Sequence, residues 1–306
     1  MNKIKLTTKL IIMICTLFIG SFFGMYSFTQ KDMLNNGNAI VAYAWSGSGT
    51  SGNPYLISSK TDLIALRTAV NSGTTYSGYY FKMTADISLT GEEWMPIGNI
   101  DSCPFEGNFN GNRYTISYLT ISEDSDSDYC LGLFGYVNNA TISNFALTSM
   151  EIYIRDYNFA DYWGAVAGRI SNTTISNISV AGTMRSDYMY ASGKYMGGLI
   201  GYANNDSIIK ACYNTSSVYT NYWNGDYPVG GIVGYTDGTI EACYNTGAIS
   251  GRGSSSSVNN MIVGGIVGYL EGASASHGTI EKCHNTGTIY AGCGIYPGSD
   301  NSYAGG

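Results

Sequence analysis

Three kinds of residue in this sequence could do chemistry: repeated glycines, regularly placed cysteines and a run of alternating aspartates. The segment "VGGIVGYTDGTIEACYNTG" (229–247) combines the first two. Its glycines could cradle a phosphate, and Cys243 could be a metal ligand or a nucleophile. A dinucleotide site, however, needs G-x-G-x-x-G at the start of a helix, and here Val229 stands in place of the first glycine. A turn and another β-branched run follow, so we interpret the glycines as points of tight backbone packing.

The aspartates are the weak metal candidates of the chain. In "SEDSDSDY" (122–129), Asp124, Asp126 and Asp128 alternate as ligands do in calcium loops, but the turn glycine is missing. Gly135 stands where the bidentate glutamate would be, which favours a solvated acidic loop. The chain has two histidines and no H-E-x-x-H motif. We therefore predict no cofactor and no metal site.

The glycine segment is one copy of a repeat. The last glycines of five related segments are spaced by 33, 33, 33 and 34 residues, at Gly135, Gly168, Gly201, Gly234 and Gly268. After each comes a β-branched block in which one position holds, in chain order, Phe145, Ile178, Cys212, Cys243 and Cys283. A position that accepts Phe, Ile and Cys is apolar and faces inward, which predicts a stack of reduced cysteines. Disulfides between Cys103 and Cys130, or between Cys283 and Cys293, remain alternatives.

The repeat length predicts the fold. Each unit has two or three short β-branched runs separated by Gly, Asn and Asp turns, with no helical period. Such a unit fits one coil of a β-solenoid plus a loop, and stacked coils bury one continuous core. Asn214, Asn245 and Asn285, two residues after the cysteines, are predicted to form an internal ladder. A β-propeller is the alternative, disfavoured because its blades take about 40 residues.

Two segments precede the repeats. Residues 59–72 predict a short amphipathic helix with Leu63 and Leu66 on one face, a capping Ser59 and a terminating Gly73. We predict that residues 45–98, which include it, form an N-terminal cap over the exposed solenoid end, and that 99–306 are the repeats. The final "SYAGG" resembles the start of another glycine segment, which predicts either that the sequence is a fragment of a longer repeat protein or that the last coil is left open.

Residues 1–44 predict export. Three lysines precede an apolar run over 10–28, as in a secretory signal, and Ala42 and Ala44 offer a cleavage site. The run could also span a bilayer as an uncleaved anchor. The expected location is therefore secreted or on the cell surface, with membrane contact only through this segment. A net charge of −7 without a basic cluster in the repeats argues against nucleic-acid binding.

Taken in order, the blocks "YLISSKTDLIALRTAVNSG", "YYFKMTADISLTGEEWMPIG", "FEGNFNGNRYTISYLTI", "GLFGYV" and the repeated "GGIVGY…GTIEACYNTG" resemble GLUG-motif bacterial surface proteins. The resemblance covers roughly residues 47–306 and implies a right-handed parallel β-helix displayed on, or secreted from, a cell. It departs at "NGNRYTI", and the first two repeats lack the double glycine and the cysteine. Similar repeats precede a metalloprotease in some immunoglobulin-cleaving enzymes, but here the resemblance extends to the scaffold alone.

The segments between repeat blocks carry the functional prediction. They are rich in Tyr, Trp, Ser, Asn and Gly, the composition that binding loops favour, and equivalent insertions on a solenoid emerge along one side. The candidate ligand-binding residues are Tyr157, Tyr162, Trp163, Tyr188, Tyr190, Tyr222, Trp223, Tyr227 and Tyr296. The simpler interpretation is that these aromatics fold over the coil edges.

We therefore predict an all-β, adhesin-like protein that is not an enzyme and that binds a glycan or a host or extracellular-matrix protein. A purely structural stalk, or an accessory repeat region of a larger surface protein, is the first alternative. A β-helical polysaccharide lyase or hydrolase is the second, and it would need carboxylates and basic residues converging in a groove. The charged residues of the repeats are instead scattered along the sequence.

Overall fold

The computed structural model describes residues 45–122, 130–154, 161–189, 193–222, 227–253, 260–271, 278–292 and 301–305. Within them the chain forms 28 β-strands and one α-helix. The predicted signal segment lies outside the described residues. The strands of the repeats pair in parallel and in register, which confirms a parallel β-solenoid.

The helix, α1 (Lys60–Asn71), begins and ends close to the predicted residues 59–72. The Ser59 hydroxyl accepts a hydrogen bond from the backbone N–H of Asp62 at 3.2 Å. Gly73 follows the helix with φ +100°, a left-handed conformation that glycine adopts without strain. Leu63, Leu66 and Val70 are buried in the same apolar core as the strands. The helix is thus part of the hydrophobic core.

Six strands surround the helix in sequence: β1 (Tyr55–Ile57), β2 (Tyr80–Met83), β3 (Ile87–Ser88), β4 (Asn108–Asn110), β5 (Thr115–Ser117) and β6 (Thr120–Ile121). They pair in parallel with one another or with the first regular coil, as Phe81 with Phe109 and Phe109 with Ile142. The N-terminal part therefore continues the same stack.

Five coils follow. Coil 1 contains β7 (Cys130–Leu131), β8 (Phe134–Asn138) and β9 (Thr141–Ile154); coil 2 contains β10 (Tyr162–Gly164), β11 (Ala167–Ser171) and β12 (Thr174–Met189). Coil 3 contains β13 (Tyr195–Gly197), β14 (Ile200–Asn204), β15 (Ile208–Lys210), β16 (Tyr213–Asn214) and β17 (Ser217–Tyr222). Coil 4 contains β18 (Tyr227–Gly230), β19 (Val233–Thr236), β20 (Thr239–Glu241), β21 (Tyr244–Asn245) and β22 (Ile249–Gly253). Coil 5 contains β23 (Asn260–Gly264), β24 (Val267–Leu270), β25 (Thr279–Glu281), β26 (His284–Asn285) and β27 (Ile289–Gly292), and β28 (Asn301–Gly305) follows.

The coils stack into three sheets of 17, six and five strands. The first strand of every coil lies in the six-stranded sheet, the second in the five-stranded sheet, and the remainder in the large sheet. The predicted alignment is the observed register: Ile142, Ile175, Ile209, Ile240 and Ile280 are successive partners. The repeat of about 33 residues is thus one coil.

The predicted inward column is also observed. Phe145 and Ile178 are partners, and Cys212 and Cys243 are fully buried in the later coils. No disulfide joins the described cysteines, which include Cys103 and Cys130. A reduced column is thus confirmed for these residues, and the alternative Cys103–Cys130 disulfide is wrong.

The asparagine ladder runs through coils 3 to 5. The Asn214 side chain donates to Oδ1 of Asn245 at 2.8 Å, and the Asn245 side chain donates to Oδ1 of Asn285 at 2.7 Å. Each amide also donates to a backbone carbonyl two residues on, as Asn245 does to Gly247 at 3.0 Å. Because a buried amide costs free energy unless it is hydrogen-bonded, the ladder has to be continuous from coil to coil.

The repeated glycines lie where neighbouring coils approach too closely for a side chain. A Cβ at Gly231 would lie 2.1 Å from the carbonyl oxygen of Gly265, and one at Gly234 would lie 2.6 Å from that of Gly201. Real Cβ atoms do not approach that closely. The predicted role in backbone packing is confirmed, and no phosphate loop is formed, because strands flank both glycines.

Candidate functional site

The predicted binding aromatics fall into three groups. Four lie outside the described residues: Tyr157, Tyr190, Trp223 and Tyr296. Tyr188 and Tyr222 lie in β12 and β17. Only Tyr162, Trp163 and Tyr227 have side chains that the structure describes, and of these only Tyr162 is half-exposed.

Trp163 and Tyr227 correct the prediction. Their side chains are 1% and 0% exposed, so they cannot contribute to an exposed ridge. The strands β10 and β18 begin at or before these residues and turn them inward, where Trp163 is the register partner of Met196 and Tyr227 that of Met261. Both rings are part of the hydrophobic core. For these two residues the structure therefore favours the simpler interpretation, in which the aromatics pack against the coils and do not bind a ligand.

The linkers that carry the remaining candidates have a common origin. In each coil the linker joins the last strand in the large sheet to the first strand in the six-stranded sheet. The flanking strands are stacked in register: Asn221 pairs with Arg252 before the linkers, and Val229 pairs with Val263 after them. All five linkers therefore start and end at corresponding points of the solenoid.

Metal ligands are not clustered in the part of the chain that the structure describes, which holds no group of three or more His, Cys, Asp or Glu side chains able to bind an ion. Asp124, Asp126 and Asp128 lie outside it, so the weak calcium prediction stays a prediction. Among the same described residues, no helix is both long enough and apolar enough to cross a membrane.

A tyrosine face covers the outside of the five-stranded sheet and the adjoining edge of the six-stranded sheet. We use this name for Tyr136, Tyr162, Tyr195, Tyr202, Tyr235, Tyr269 and Arg169. The rings stack from coil to coil: Tyr202 on Tyr235 with centroids 4.8 Å apart, and Tyr235 on Tyr269 at 5.4 Å. Tyr162 stacks on Tyr195 at 5.8 Å in a second column. Parallel coils place identical residues one strand spacing apart, which produces this stacking.

The electrostatics of the tyrosine face are dominated by burial. Burial raises the pKa of Tyr162 to about 12, an effect that Arg169 opposes and Asp161 reinforces. Burial also raises the pKa of Tyr195 and of Tyr202. The guanidinium carbon of Arg169 lies 4.8 Å from the ring centroid of Tyr136, and the same group pairs with Asp101 at 3.4 Å.

The arrangement of this face limits what it can bind. In the middle of a stack, both faces of a tyrosine ring are covered by neighbouring rings, so only ring edges and hydroxyl groups are open to solvent. A sugar that stacks on an aromatic residue needs an open ring face. We therefore assign the stacked rings of the tyrosine face to packing between neighbouring coils.

A second surface lies on the large sheet beside the linkers, where tyrosine and arginine side chains alternate from coil to coil. We call it the arginine ladder. It comprises Tyr153, Arg185, Tyr219, Arg252 and Tyr290. Tyr153, Arg185 and Tyr219 are successive register partners, and the Arg185 guanidinium carbon lies 5.6 Å and 5.4 Å from the two ring centroids. Arg252 occupies the corresponding space between Tyr219 and Tyr290. Such cation–π contacts are worth about 0.5–1 kcal/mol each at exposed sites.

The sequence carried a signal for the tyrosine face that the prediction did not use. The tyrosine face comes from the residue after the last glycine of each repeat, which is Tyr in four copies and Arg169 in the other. Aligning outward positions as carefully as inward ones would have found this column. The arginine ladder has no such signal, because Ser250 and not Arg252 is the register partner of Tyr219 and Tyr290.

The repeats are similar to segments of known proteins. Residues 226–250 and 259–290 match the GLUG motif. A protein described as a Gly-rich membrane protein of Evansella cellulosilytica is 33% identical over 162 residues, covering 50% of this chain and 17% of that protein. Halomucin of Haloquadratum walsbyi is 30% identical over 117 residues, covering 33% of this chain and 1% of halomucin. The chain thus spans only a small part of either relative.

A solved structure shares the fold. The crystal structure described as an immunoglobulin A1 protease from Bacteroides ovatus aligns with a TM-score of 0.50 at 23% identity, covering 81% of this chain and 86% of that one. At this identity the likeness concerns the fold alone. Residues 226–250 and 259–290 therefore carry GLUG motifs, and the strand register shows that the chain forms a parallel β-solenoid of about five coils.

Proposed function

We propose that this protein is a non-enzymatic, adhesin-like scaffold that binds a glycan or an extracellular protein through the linkers on one side of its solenoid. The observation that carries the proposal is the shared origin of the five linkers, whose flanking strands stack in register. A rigid core that displays several aromatic, Ser- and Asn-rich segments side by side has the composition and the spacing of a multi-loop binding surface.

The proposed location is the outside of the cell, secreted or attached to the surface. The predicted signal in residues 1–44 supports it, as do the relatives described as a membrane protein and as halomucin. The low charged fraction of 12% is compatible with a long-lived extracellular scaffold. The proposal carries over only this location from the relatives.

The assignment as a non-enzyme is supported by how the described charges are used. Four ion pairs tie carboxylates to basic side chains: Arg67–Glu92, Arg169–Asp101, Arg185–Asp187 and Lys282–Glu241. They lie at separate places along the solenoid rather than around one groove. A lyase or hydrolase would instead need these groups to converge on one substrate position.

The test is a double variant, Tyr222→Ala with Trp223→Ala, assayed against immobilised glycans and extracellular-matrix proteins. Tyr118→Ala is the matched control because Tyr118 is 52% exposed and its backbone N–H donates to Thr148 in the middle of β9, not to a linker. Aromatic anchors commonly contribute 2 kcal/mol or more to binding, so we expect at least about tenfold weaker binding for the double variant. Binding that is equally strong in wild type and double variant, or absent from the whole panel, would favour the structural stalk.

A further inference from the structure

Arg252 differs from the other arginine of the ladder in its charge environment. Arg185 pairs with Asp187, with Nη2 to Oδ2 at 2.8 Å and Nε to the same oxygen at 3.1 Å. Arg252 is exposed and forms no ion pair with any carboxylate that the structure describes. On a chain of net charge −7, a cation that no carboxylate among the described residues neutralises is available to an external anion.

The guanidinium of Arg252 is nevertheless held in place. Its carbon lies 5.9 Å from the ring centroid of Tyr219 and 5.2 Å from that of Tyr290. Ser250, the register partner of both tyrosines, is small enough to leave this space open. When rings cover the two faces of a guanidinium, its N–H groups point outward in the plane between them, which is the geometry of bidentate carboxylate binding.

Gly292 contributes to the same arrangement. It is the register partner of Arg252, and a Cβ built on it would lie 2.5 Å from the hydroxyl oxygen of Tyr290. The absence of a side chain at this position lets the Tyr290 ring lie over the strand next to Arg252. The ring is still 48% exposed, so part of it remains open to a ligand.

The ion pair between Arg185 and Asp187 shows what a guanidinium between two tyrosine rings can bind. There, a guanidinium between two tyrosine rings is occupied by the carboxylate of Asp187, which also accepts a hydrogen bond from the Tyr153 hydroxyl at 3.1 Å. The position of Asp187 is held by Asn221 in coil 3 and by Arg252 itself in coil 4. Among the described residues around Arg252, therefore, the rings and the guanidinium are repeated and the carboxylate is not.

We propose that Tyr219, Arg252 and Tyr290 form a subsite for the carboxylate of an acidic sugar, a uronic or sialic acid residue of a glycan. The inference rests on the proposed binding function and names its ligand class. A carboxylated sugar matches both parts of the site, since its ring can contact the open part of Tyr290 while its carboxylate meets Arg252. The overall negative charge of the chain repels polyanions at long range. Selectivity therefore comes from this short-range contact.

The test compares acidic oligosaccharides with their carboxyl-reduced forms by titration calorimetry on the whole chain. The probes are a uronic-acid oligosaccharide and a sialylated oligosaccharide. We expect wild type to bind at least one acidic probe about tenfold more tightly than its reduced form. Arg252→Gln should remove this preference, and Gly292→Ala, which displaces the Tyr290 ring, should weaken it. Arg113→Gln removes the same charge from an exposed position elsewhere and should preserve it. Melting temperatures confirm that the variants are folded.

The outcomes separate the two proposals. A wild type that binds acidic and reduced probes equally, or an Arg252→Gln variant that keeps the preference, overturns the carboxylate subsite and leaves the binding function standing. A wild type that binds none of these probes also overturns the subsite. The Tyr222→Ala, Trp223→Ala double variant should instead lose affinity for acidic and reduced probes alike, and if it binds both as wild type does, the proposed function fails.

Discussion

Asn144 and Asn177 occupy a turn in the left-handed region of the Ramachandran plot, with φ of 62° and 54°. Each lies one residue before the inward Phe or Ile position. Asparagine tolerates this conformation because its short amide can form local hydrogen bonds, and here the amides also stack, Asn177 donating to Asn144 at 3.1 Å. In the later coils the same turn holds Ala211, Ala242 and Lys282, at φ of 52° to 54°. These residues pay a backbone cost that the earlier coils avoid.

Ala242→Asn should stabilise the protein by about 0.5–1 kcal/mol, because a left-handed conformation costs about 1–2 kcal/mol for a residue with an ordinary Cβ. The measurement is the free energy of unfolding from denaturant titration.

Ala248→Asn is the matched control for that substitution. Ala248 is exposed in the same coil but is not among the residues of positive φ. It should therefore show no gain. A similar gain at both positions would mean that asparagine stabilises the surface generally and that the turn is not strained.

At the scale of the strands, the inward positions were predictable and the outward ones less so. The columns that contain Ile240 and Cys243 follow from aligning the repeats, because a continuous core restricts which residues each coil can place there. Trp163 and Tyr227 were misplaced because a strand's first residue cannot be told from a loop's last by composition alone. Only the pairing register, which sends alternate side chains to opposite faces, decides that both rings point inward.

The arginine ladder was missed for a related reason. Arg252 is not in the same register position as Arg185. That position in coil 4 is held by Ser250, and the side chain of Arg252, two residues further along the strand, extends into the space next to Ser250. No alignment of single positions brings the two arginines together, since the equivalence arises from the reach of a long side chain. Arg252 could therefore be recognised as a candidate ligand-binding residue only from the structure.

The raised pKa of Tyr162 in the tyrosine face predicts that the free energy of unfolding falls at alkaline pH. The pKa of Tyr162 is raised from 10.0 to about 12, so the native state retains a proton that the unfolded state releases. The corresponding stability is complete below about pH 10 and is lost as the pH rises to about 12. A shift of this size would be worth about 2.7 kcal/mol at full burial, and because Tyr162 is half-exposed we expect about 1 kcal/mol.

The measurement is the denaturation midpoint across that pH window, with tyrosinate absorbance followed in parallel. Tyr162→Phe has no ionisable group at this position, so its midpoint should fall less steeply than that of wild type. Tyr195 and Tyr202, whose pKa values are also raised, keep part of the slope in this variant. Parallel slopes for the two proteins would contradict the assignment to Tyr162.

For the whole molecule, stability should depend on how many neighbours each coil has. Coils 2 to 4 are covered on both sides by other coils, whereas the described part of the chain continues the stack beyond coil 5 only in the six-stranded sheet, where β28 pairs with β23. In a stacked repeat protein, the free energy is approximately the sum of the coils and of the interfaces between neighbours. A side chain in an inner coil therefore contributes to two interfaces between coils. A side chain of coil 5 in the large sheet contributes to a single interface among the described residues.

Ile240 and Ile280 allow a direct comparison because they are register partners in one column. Ile240 is 0% exposed, whereas Ile280 is 43% exposed. Truncation of a fully buried isoleucine leaves a cavity, so Ile240→Ala should cost about 3–4 kcal/mol. Ile280→Ala removes a side chain that is already partly hydrated and should cost about 1 kcal/mol. Both values come from denaturant unfolding of the same chain. Similar losses at the two positions would show that coil 5 is covered in solution, by a second copy of the chain for example, and dilution would then lower the cost of Ile280→Ala.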